Sequence, residues 1–449
     1  MHSSSEASSR SPLRLGLLGI GNVGQSVFDV LTRNQDEISR RAGRSIEVVM
    51  ASRRNLAAAK PLADAGVRVV ADPADIVRDP SVDVVVELIG GTTVARDLVL
   101  QAIANGKHVV TANKALLAEH GTEIFDAAHK AGVVVAFEAA VAGGIPIIKA
   151  LREGLTANRI QWLAGIINGT TNFILSEMRS KGLDFATVLK TAQSLGYAEA
   201  DPTFDIEGVD AAHKLALMSA IAFGVPVQFD KAHIEGITQL DAQDIRYAEQ
   251  LGYRIKLLGI TKRVPTGIEL RVHPCLVPSE RLLANVEGAM NAVVVQGDAV
   301  GTTLYYGKGA GGEPTASAVI ADLVDVARVG NSSALERVPA LAFQPDAMVP
   351  TPVLPISDVV SAYYLRLRVS DEAGVLANLT GVLAKSGISI DAMLQREAHD
   401  VSGQEGNQTD LVMLTHEVRE GTLDEALAHI QALPTVLAPV VRLRKEELA

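Results

Sequence analysis

The chain has 449 residues, 48% of them hydrophobic, which is too long for one compact domain and supplies side chains for two or three separate cores. Its 41 Lys and Arg against 52 Asp and Glu give a formal charge of −11, a balance that argues against a general nucleic-acid or anionic-membrane surface and favours small metabolites as partners. The lone Cys275 excludes an internal disulfide framework and a cysteine-cluster zinc site and suits a reducing cytoplasm, and no apolar run approaches the roughly 20 residues that cross a bilayer.

Residues 1–12, "MHSSSEASSRSP", are polar and serine-rich and are expected to be a disordered tail. From Leu13 the text reads strand "LRLGLLGIG", helix "NVGQSVFDVLTRN", strand "IEVVMAS", strand "VDVVVELIGG", helix "RDLVLQAIANG" and strand "KHVVTAN". A helix over 115–131 and a strand "VVVAFEAAV" follow. Continuous Val/Ile/Leu strands alternating with helical patterns predict a doubly wound parallel sheet covered on both faces, over residues 13–140. Residues 141–305 switch to amphipathic helices and then β-rich text, an α+β domain. The proline-spaced "RVPALAFQPDAMVPTPVLPISD" has no period and reads as an extended linker with few contacts, placed at 336–357. Residues 358–449 read as a compact βαββαβ unit.

"GIGNVG" follows a buried strand and opens a helix. In that setting Gly19 permits a tight turn, Gly21 lets backbone approach a pyrophosphate, Gly24 allows close helix packing, and the helix start at Asn22 and Val23 offers free N–H groups to phosphate. The plain alternative is a glycine turn without a ligand. Where an NAD-selective site places an acid after the second strand, this chain has Ser52, Arg53 and Arg54. Cations and a hydroxyl suit a 2′-phosphate, so NADP is the expected cofactor, with NAD possible; the alternative is that both arginines face solvent. "TANKALLA" brings Asn113 and Lys114 to the carboxyl end of the sheet, where ligands gather.

"DPTFDIEGVDAAHK" concentrates charge at the start of an apolar helix. Asp210 and Lys214 are spaced i, i+4 and share one face, so an ordinary helix salt bridge is the bland reading. Against it stands the almost wholly apolar "LALMSAIAF" that follows, which must be buried and would carry Lys214 into a cleft. Glu199, Asp201 and Asp205 arrive from the preceding loop. Several acids and one held ammonium can bind an amino-acid zwitterion and protonate a carbonyl oxygen.

"AQSLGYAEADPTFDIEGVDAAHK" resembles the signature segment of homoserine dehydrogenases, and "GIGNVG", "TANKALL", "FEAAVAGGIPII", "GIINGTTNFIL" and "GKGAGGEPTASAV" resemble the same family in the same order. The tail from Tyr363 is similar to an ACT domain through "VSDEAGVLANLTGVLAKSGISI". The resemblance implies a reversible NAD(P)H-dependent reduction of L-aspartate 4-semialdehyde to L-homoserine, a step towards threonine, methionine and isoleucine. It gives Lys214 the catalytic role with Lys114 beside the cofactor, and Glu199, Asp210 and Asp205 the substrate. It also implies a monovalent cation, usually sodium, on main-chain carbonyls of Glu138, Val141, Gly143 and Ile145. A return segment at about 306–335 would bring Gly311 to the cofactor, and residues 141–305 would also build a homodimer or homotetramer. The ACT-like tail implies an amino-acid effector, threonine first, and a core that folds and works when the chain stops after Thr351. Asp371 either belongs to the effector loop Ser370–Leu376 or caps the helix that follows. Three other readings stay open. Aspartate-semialdehyde dehydrogenase would need Cys275 as nucleophile, another two-domain oxidoreductase would share the glycine turn, and a non-catalytic nucleotide sensor would leave the acid and lysine cluster unexplained.

Overall fold

The structure, a computed structural model, describes residues 11–55, 59–329, 332–333, 337–395 and 407–448. The tail expected at 1–12 lies, but for its last two residues, outside the described residues. The chain divides into two compact units: residues up to Trp162 with Asp210–Lys231 and Asn291–Thr351, and Leu163–Val209 with Ala232–Met290 and Pro352–Ala449.

The first unit is built on six parallel strands: β1 (Leu13–Leu18), β2 (Ile46–Ser52), β3 (Arg68–Val70), β4 (Val84–Glu87), β5 (His108–Thr111) and β6 (Val135–Ala136). Their order is β3-β2-β1-β4-β5-β6, so the direction of winding reverses between β1 and β4 and opens a crevice at their carboxyl ends. Leu15, Leu17, Val84 and Val86 are fully buried, as strands covered on both faces require. The helix Gly312–Val329, far along the chain, returns to pack on Asn22–Arg33, and Val319 and Leu323 complete that core.

The strand read at "VVVAFEAAV" shrinks to Val135–Ala136, because Glu138 turns into a 3-10 segment and spends its carboxylate on the amides of Ile148 (2.9 Å) and Lys149 (2.8 Å). The strand β3 and the helix Gln35–Ala42 are too short or too polar to have shown as a period.

In the second unit a sheet runs in the order Tyr253–Val264, Gly267–Pro278, Val441–Lys445, Val360–Ser370, Gln408–Thr415, Ile390–Gln395. The last four strands, with the helices Val375–Lys385 and Glu420–Gln431, form the βαββαβ fold around Tyr363, Leu365, Leu379, Leu423 and Ile430. This fold is continuous with the rest of its unit, since Cys275 and Leu276 pair in parallel with Arg444 and Lys445.

The proline-spaced segment is also no free tether. Phe343 lies against Gly224, and the Val349 amide donates to the Gly224 carbonyl (2.9 Å) in the first unit. In the second, Ile268 exchanges backbone hydrogen bonds with Pro352 and Leu354, each 2.9 Å. An extended chain keeps its C=O and remaining N–H groups pointing sideways, ready for such pairing. Gly374, with φ 94°, precedes the helix Val375–Lys385 without a side-chain cap, so Asp371 does not cap it.

Candidate active site

The crevice between β1 and β4 is shaped by glycines. Gly19 turns the chain at φ +95°, and a Cβ on Gly24 would lie 2.4 Å from the Gly19 carbonyl oxygen, so only glycine lets the helix start this close. Nothing stands within 4 Å of where a Cβ of Gly21 would be, which leaves room for a phosphate to approach the backbone. The helix Asn22–Arg33 begins at Gly21 with no side-chain cap, so its first amides, Asn22 and Val23 among them, face that space. Gly312, after Gly311 at φ +127°, closes on Asn22 and Ser26, leaving no space for a side chain. The far wall is the loop after β4, whose Leu88 and Ile89 abut Gly19. These features fit a dinucleotide.

Arg53 is half-buried and Arg54 exposed just past β2. Ser52 is different from expectation: it is buried and its Oγ accepts the Gly19 amide at 3.1 Å, so it braces the glycine turn.

Lys114 is the first residue of the helix Lys114–Ala131, whose cap, Asn113, accepts the Leu116 amide at 3.1 Å. Its Nζ lies 3.2 Å from Asp210 Oδ1, while Lys214 Nζ lies 2.7 Å from Asp210 Oδ2. One carboxylate therefore bridges two ammonium groups. Every residue from Asp210 to Phe223 in the helix Val209–Phe223 is buried, with 7% of the Asp210 side chain and 11% of that of Lys214 exposed. This is no surface pair: breaking a buried one leaves a charge uncompensated, at a cost of about 3–5 kcal/mol. Chemically, the arrangement holds two cations still and aims them together. His213 packs edge-on against Phe229, ring centroids 4.2 Å apart, and burial pushes its pKa below the usual value, so it is neutral at neutral pH.

Glu199 and Asp205 belong to the second unit. Asp205 Oδ1 accepts from Asn168 Nδ2 at 2.7 Å, and Asn168 also caps the helix Gly169–Lys181 through the Thr171 amide (2.8 Å). Glu199 is exposed, and its carbonyl accepts from Gln193 (3.1 Å). Asn168 was not singled out from the sequence, although it stands in the "NGTTNFIL" string.

In the segment Glu138–Ile145, Ala142 and Gly143 both take positive φ, 54° and 47°. An alanine there is strained by about 1 kcal/mol or more, and two such residues in succession swing their carbonyls off the regular path. The Glu138 carbonyl accepts from Val141 (3.3 Å) and that of Ile145 from Ile147 (2.7 Å). Each keeps a second lone pair, so a set of hard neutral oxygens remains, fitting an alkali cation better than a transition metal. Glu138 and Asp322 are buried acids linked by the Glu138 amide donating to Asp322 Oδ2 at 2.8 Å.

Cys275 is fully buried in the strand Gly267–Pro278, and burial pushes its thiol well above the ordinary value. A protonated, inaccessible thiol cannot attack an aldehyde, which removes the acyl-thioester reading.

The chain is similar to known proteins along nearly its whole length. Residues 146–324 match the family model of homoserine dehydrogenase, residues 19–138 that of the homoserine dehydrogenase NAD binding domain, and residues 363–435 that of the ACT domain. The homoserine dehydrogenase of Pseudomonas aeruginosa is 58% identical over 97% of this chain and 99% of its own, and that of Neisseria gonorrhoeae 55% identical over 97% and 99%. A crystal structure of a homoserine dehydrogenase from Thiobacillus denitrificans covers 98% of this chain and 100% of its own, at 62% identity and a TM-score of 0.93. A hyperthermophilic archaeal homoserine dehydrogenase in complex with NADPH covers 72% of this chain and 99% of its own, at 25% identity and a TM-score of 0.61. A nicotinamide-binding parallel sheet, a catalytic region and an ACT domain thus follow one another in a chain that belongs to the homoserine dehydrogenase family.

Proposed function

We propose that the chain reduces L-aspartate 4-semialdehyde to L-homoserine, reversibly, with NADP as its preferred cofactor. The observation that carries the reading is the bridge of Lys114 and Lys214 across the buried Asp210 carboxylate, with Lys114 one helix start away from the carboxyl end of β5. When bound, the cofactor supplies hydride to the aldehyde carbon. The carbonyl oxygen then gathers negative charge and needs a proton. Lys214 gives that proton from Nζ, completing the hydroxyl, and is reprotonated from water. Lys114 holds its charge beside the same oxygen and lowers the energy of the developing alkoxide. Asp210 keeps both ammonium groups in place between turnovers. Asp210 also offers its carboxylate to the amino end of the substrate.

Gly19, Gly21, Asn22, Val23, Gly24 and Gly311 line the cofactor, and the preference for NADP over NAD rests on Arg53 and Arg54 meeting a 2′-phosphate. Main-chain carbonyls of Glu138, Val141, Gly143 and Ile145 are the place for a sodium ion. Threonine is the effector that we assign to the ACT domain, through the loop Ser370–Leu376. The active form is a homodimer or homotetramer, and the work is cytoplasmic.

Oxidation of L-homoserine with NADP, read at the nicotinamide absorbance, tests the reaction. Lys214→Ala should cut kcat by about 10²- to 10⁴-fold and leave the NADPH Kd within about threefold of wild type. A variant that keeps more than about a third of kcat removes Lys214 from the chemistry.

A further inference from the structure

One buried carboxylate at the carboxyl end of the sheet takes no part in the chemistry above. Glu87, the last residue of β4, is fully buried, and among the described residues it forms no ion pair. Its Oε1 accepts the amides of Ile89 and Gly90, both at 3.0 Å, and its Oε2 accepts the Thr111 hydroxyl at 2.6 Å. Thr111 ends β5 directly beside Glu87 in the parallel register. The hydroxyl gives its proton to Glu87 and receives the Asn113 amide at 2.9 Å. Asn113 Nδ2 in turn donates to the Gly91 carbonyl at 2.8 Å, which closes a ring of hydrogen bonds over the ends of two strands.

The ring has two outlets. On one side it fixes the loop Ile89–Gly91, the wall that abuts Gly19 of the dinucleotide turn; Gly90 and Gly91 stand at φ 72° and 76° there, and the hydrogen bonds that the Ile89 and Gly90 amides donate to Glu87 hold the start of that loop. On the other it fixes Asn113, the cap of the helix whose first residue is Lys114. Burying a carboxylate is expensive, and what it offers that an amide does not is acceptance alone. With glutamine at 87, an NH2 group would face either the Thr111 hydroxyl or the Ile89 and Gly90 amides, so that one side of the ring would lose its acceptor.

We infer that Glu87 and Thr111 are positioning residues for the reduction: together they set the angle at which Lys114 meets Asp210 and the carbonyl oxygen, and Glu87 also sets the crevice wall. The inference rests on the reading of Lys114 given above. A shift of about 1 Å in a group that acts at the reacting centre costs on the order of 10²-fold in rate, so a side chain that touches neither substrate nor cofactor can matter this much.

The experiment combines Thr111→Val, Thr111→Ser and Glu87→Gln with Lys114→Met, measuring kcat, KM and the NADPH Kd in the full-length enzyme. Thr111→Val should lower kcat about 10- to 100-fold with the NADPH Kd changed less than about threefold, and Thr111→Ser should restore kcat to within about threefold of wild type. In the Lys114→Met background Thr111→Val should cost less than about twofold more, since the residue it positions is gone. Glu87→Gln should lower kcat and also weaken NADPH binding by more than about threefold, and it carries the test if Thr111→Val does not fold. Wild-type kcat in Thr111→Val, or in Glu87→Gln where that variant stands in for it, overturns the inference. So does a loss from Thr111→Val that is equally large with and without Lys114. Wild-type kcat in Lys114→Met alone is a separate failure, that of the role given to Lys114.

Discussion

Asp322 shows how far a single buried acid can be moved from its ordinary behaviour. It sits in the helix Gly312–Val329 with 1% exposure, and burial, reinforced by the nearby Glu138 carboxylate, raises its pKa from 3.8 to about 7. An acid with a higher pKa folded than unfolded keeps its proton longer in the folded chain. Between those two values the native state binds more protons, so its stability falls as pH rises through that window, and the loss is complete above pH 7. It amounts to a few kcal/mol, on the order of 4. Asp322→Asn retains an acceptor for the Glu138 amide and cannot ionise. Its advantage in melting temperature over wild type should be small near pH 5 and grow by several degrees by pH 8; an equal difference at both values would show that ionisation of Asp322 is not the cause. The sequence offered no hint of this residue, because a lone Asp in an amphipathic helix looks solvated until the partner element is known. Lys214 is the opposite case, since a charged residue at the head of an apolar helix announces its own burial.

Among the elements, the strand Val441–Lys445 does the least expected work. It closes the βαββαβ fold on one edge and pairs with Gly267–Pro278 on the other. Around it lies a set of ion pairs whose groups are buried or partly buried. Asp244, fully buried in the helix Ala242–Gln250, takes Arg366 at 2.6 and 2.9 Å and the Tyr364 hydroxyl at 2.8 Å. Asp410 takes Arg368 at 3.0 Å and Gln243 at 2.7 Å, and Arg444 joins Glu235 (2.9 Å) to Glu420 (2.7 Å). Glu235 feels burial pushing its pKa up, but hydrogen bonds from His233 and Arg444 hold it far below the usual carboxylate range. A chain stopped after Thr351 would take Arg366 from Asp244 and Arg444 from Glu235, open both carboxylates to water, and bare a fully buried strand edge together with the apolar surface around it. The truncated chain should therefore be insoluble or melt far below the full one by circular dichroism. A truncated chain that stays folded and active would mean that these pairs contribute little. Separate periodicity in the tail had pointed the other way. Period reports which face of an element is apolar and is silent about pairing between strands distant in sequence.

At the scale of the whole molecule, the family was legible because its motifs are long and ordered along the chain, whereas the contacts that couple them were not. Two strand ends had to meet before Glu87 and Thr111 could be seen as a pair, and two helices before Asp210 could be seen to serve two lysines. Among the described residues no helix is long and apolar enough to cross a membrane. The strand Gly301–Lys308 stands at the end of its sheet and exposes Leu304 (37%) and Tyr306 (57%) on alternate positions, an apolar edge that another copy can cover. Light scattering should give at least twice the 47.3 kDa of one chain, and Tyr306→Asp should shift the population towards the single mass; a monodisperse single chain in wild type excludes the homodimer. The pairing of Cys275 with Arg444 also bears on the ribosome. Translation runs at about 5–20 residues per second, so the nascent strand Gly267–Pro278 waits on the order of ten seconds for the partner that covers its edge. Throughout that interval the half-made protein offers an open β-edge to every neighbouring polypeptide, and a pause in translation before codon 441 prolongs the exposure.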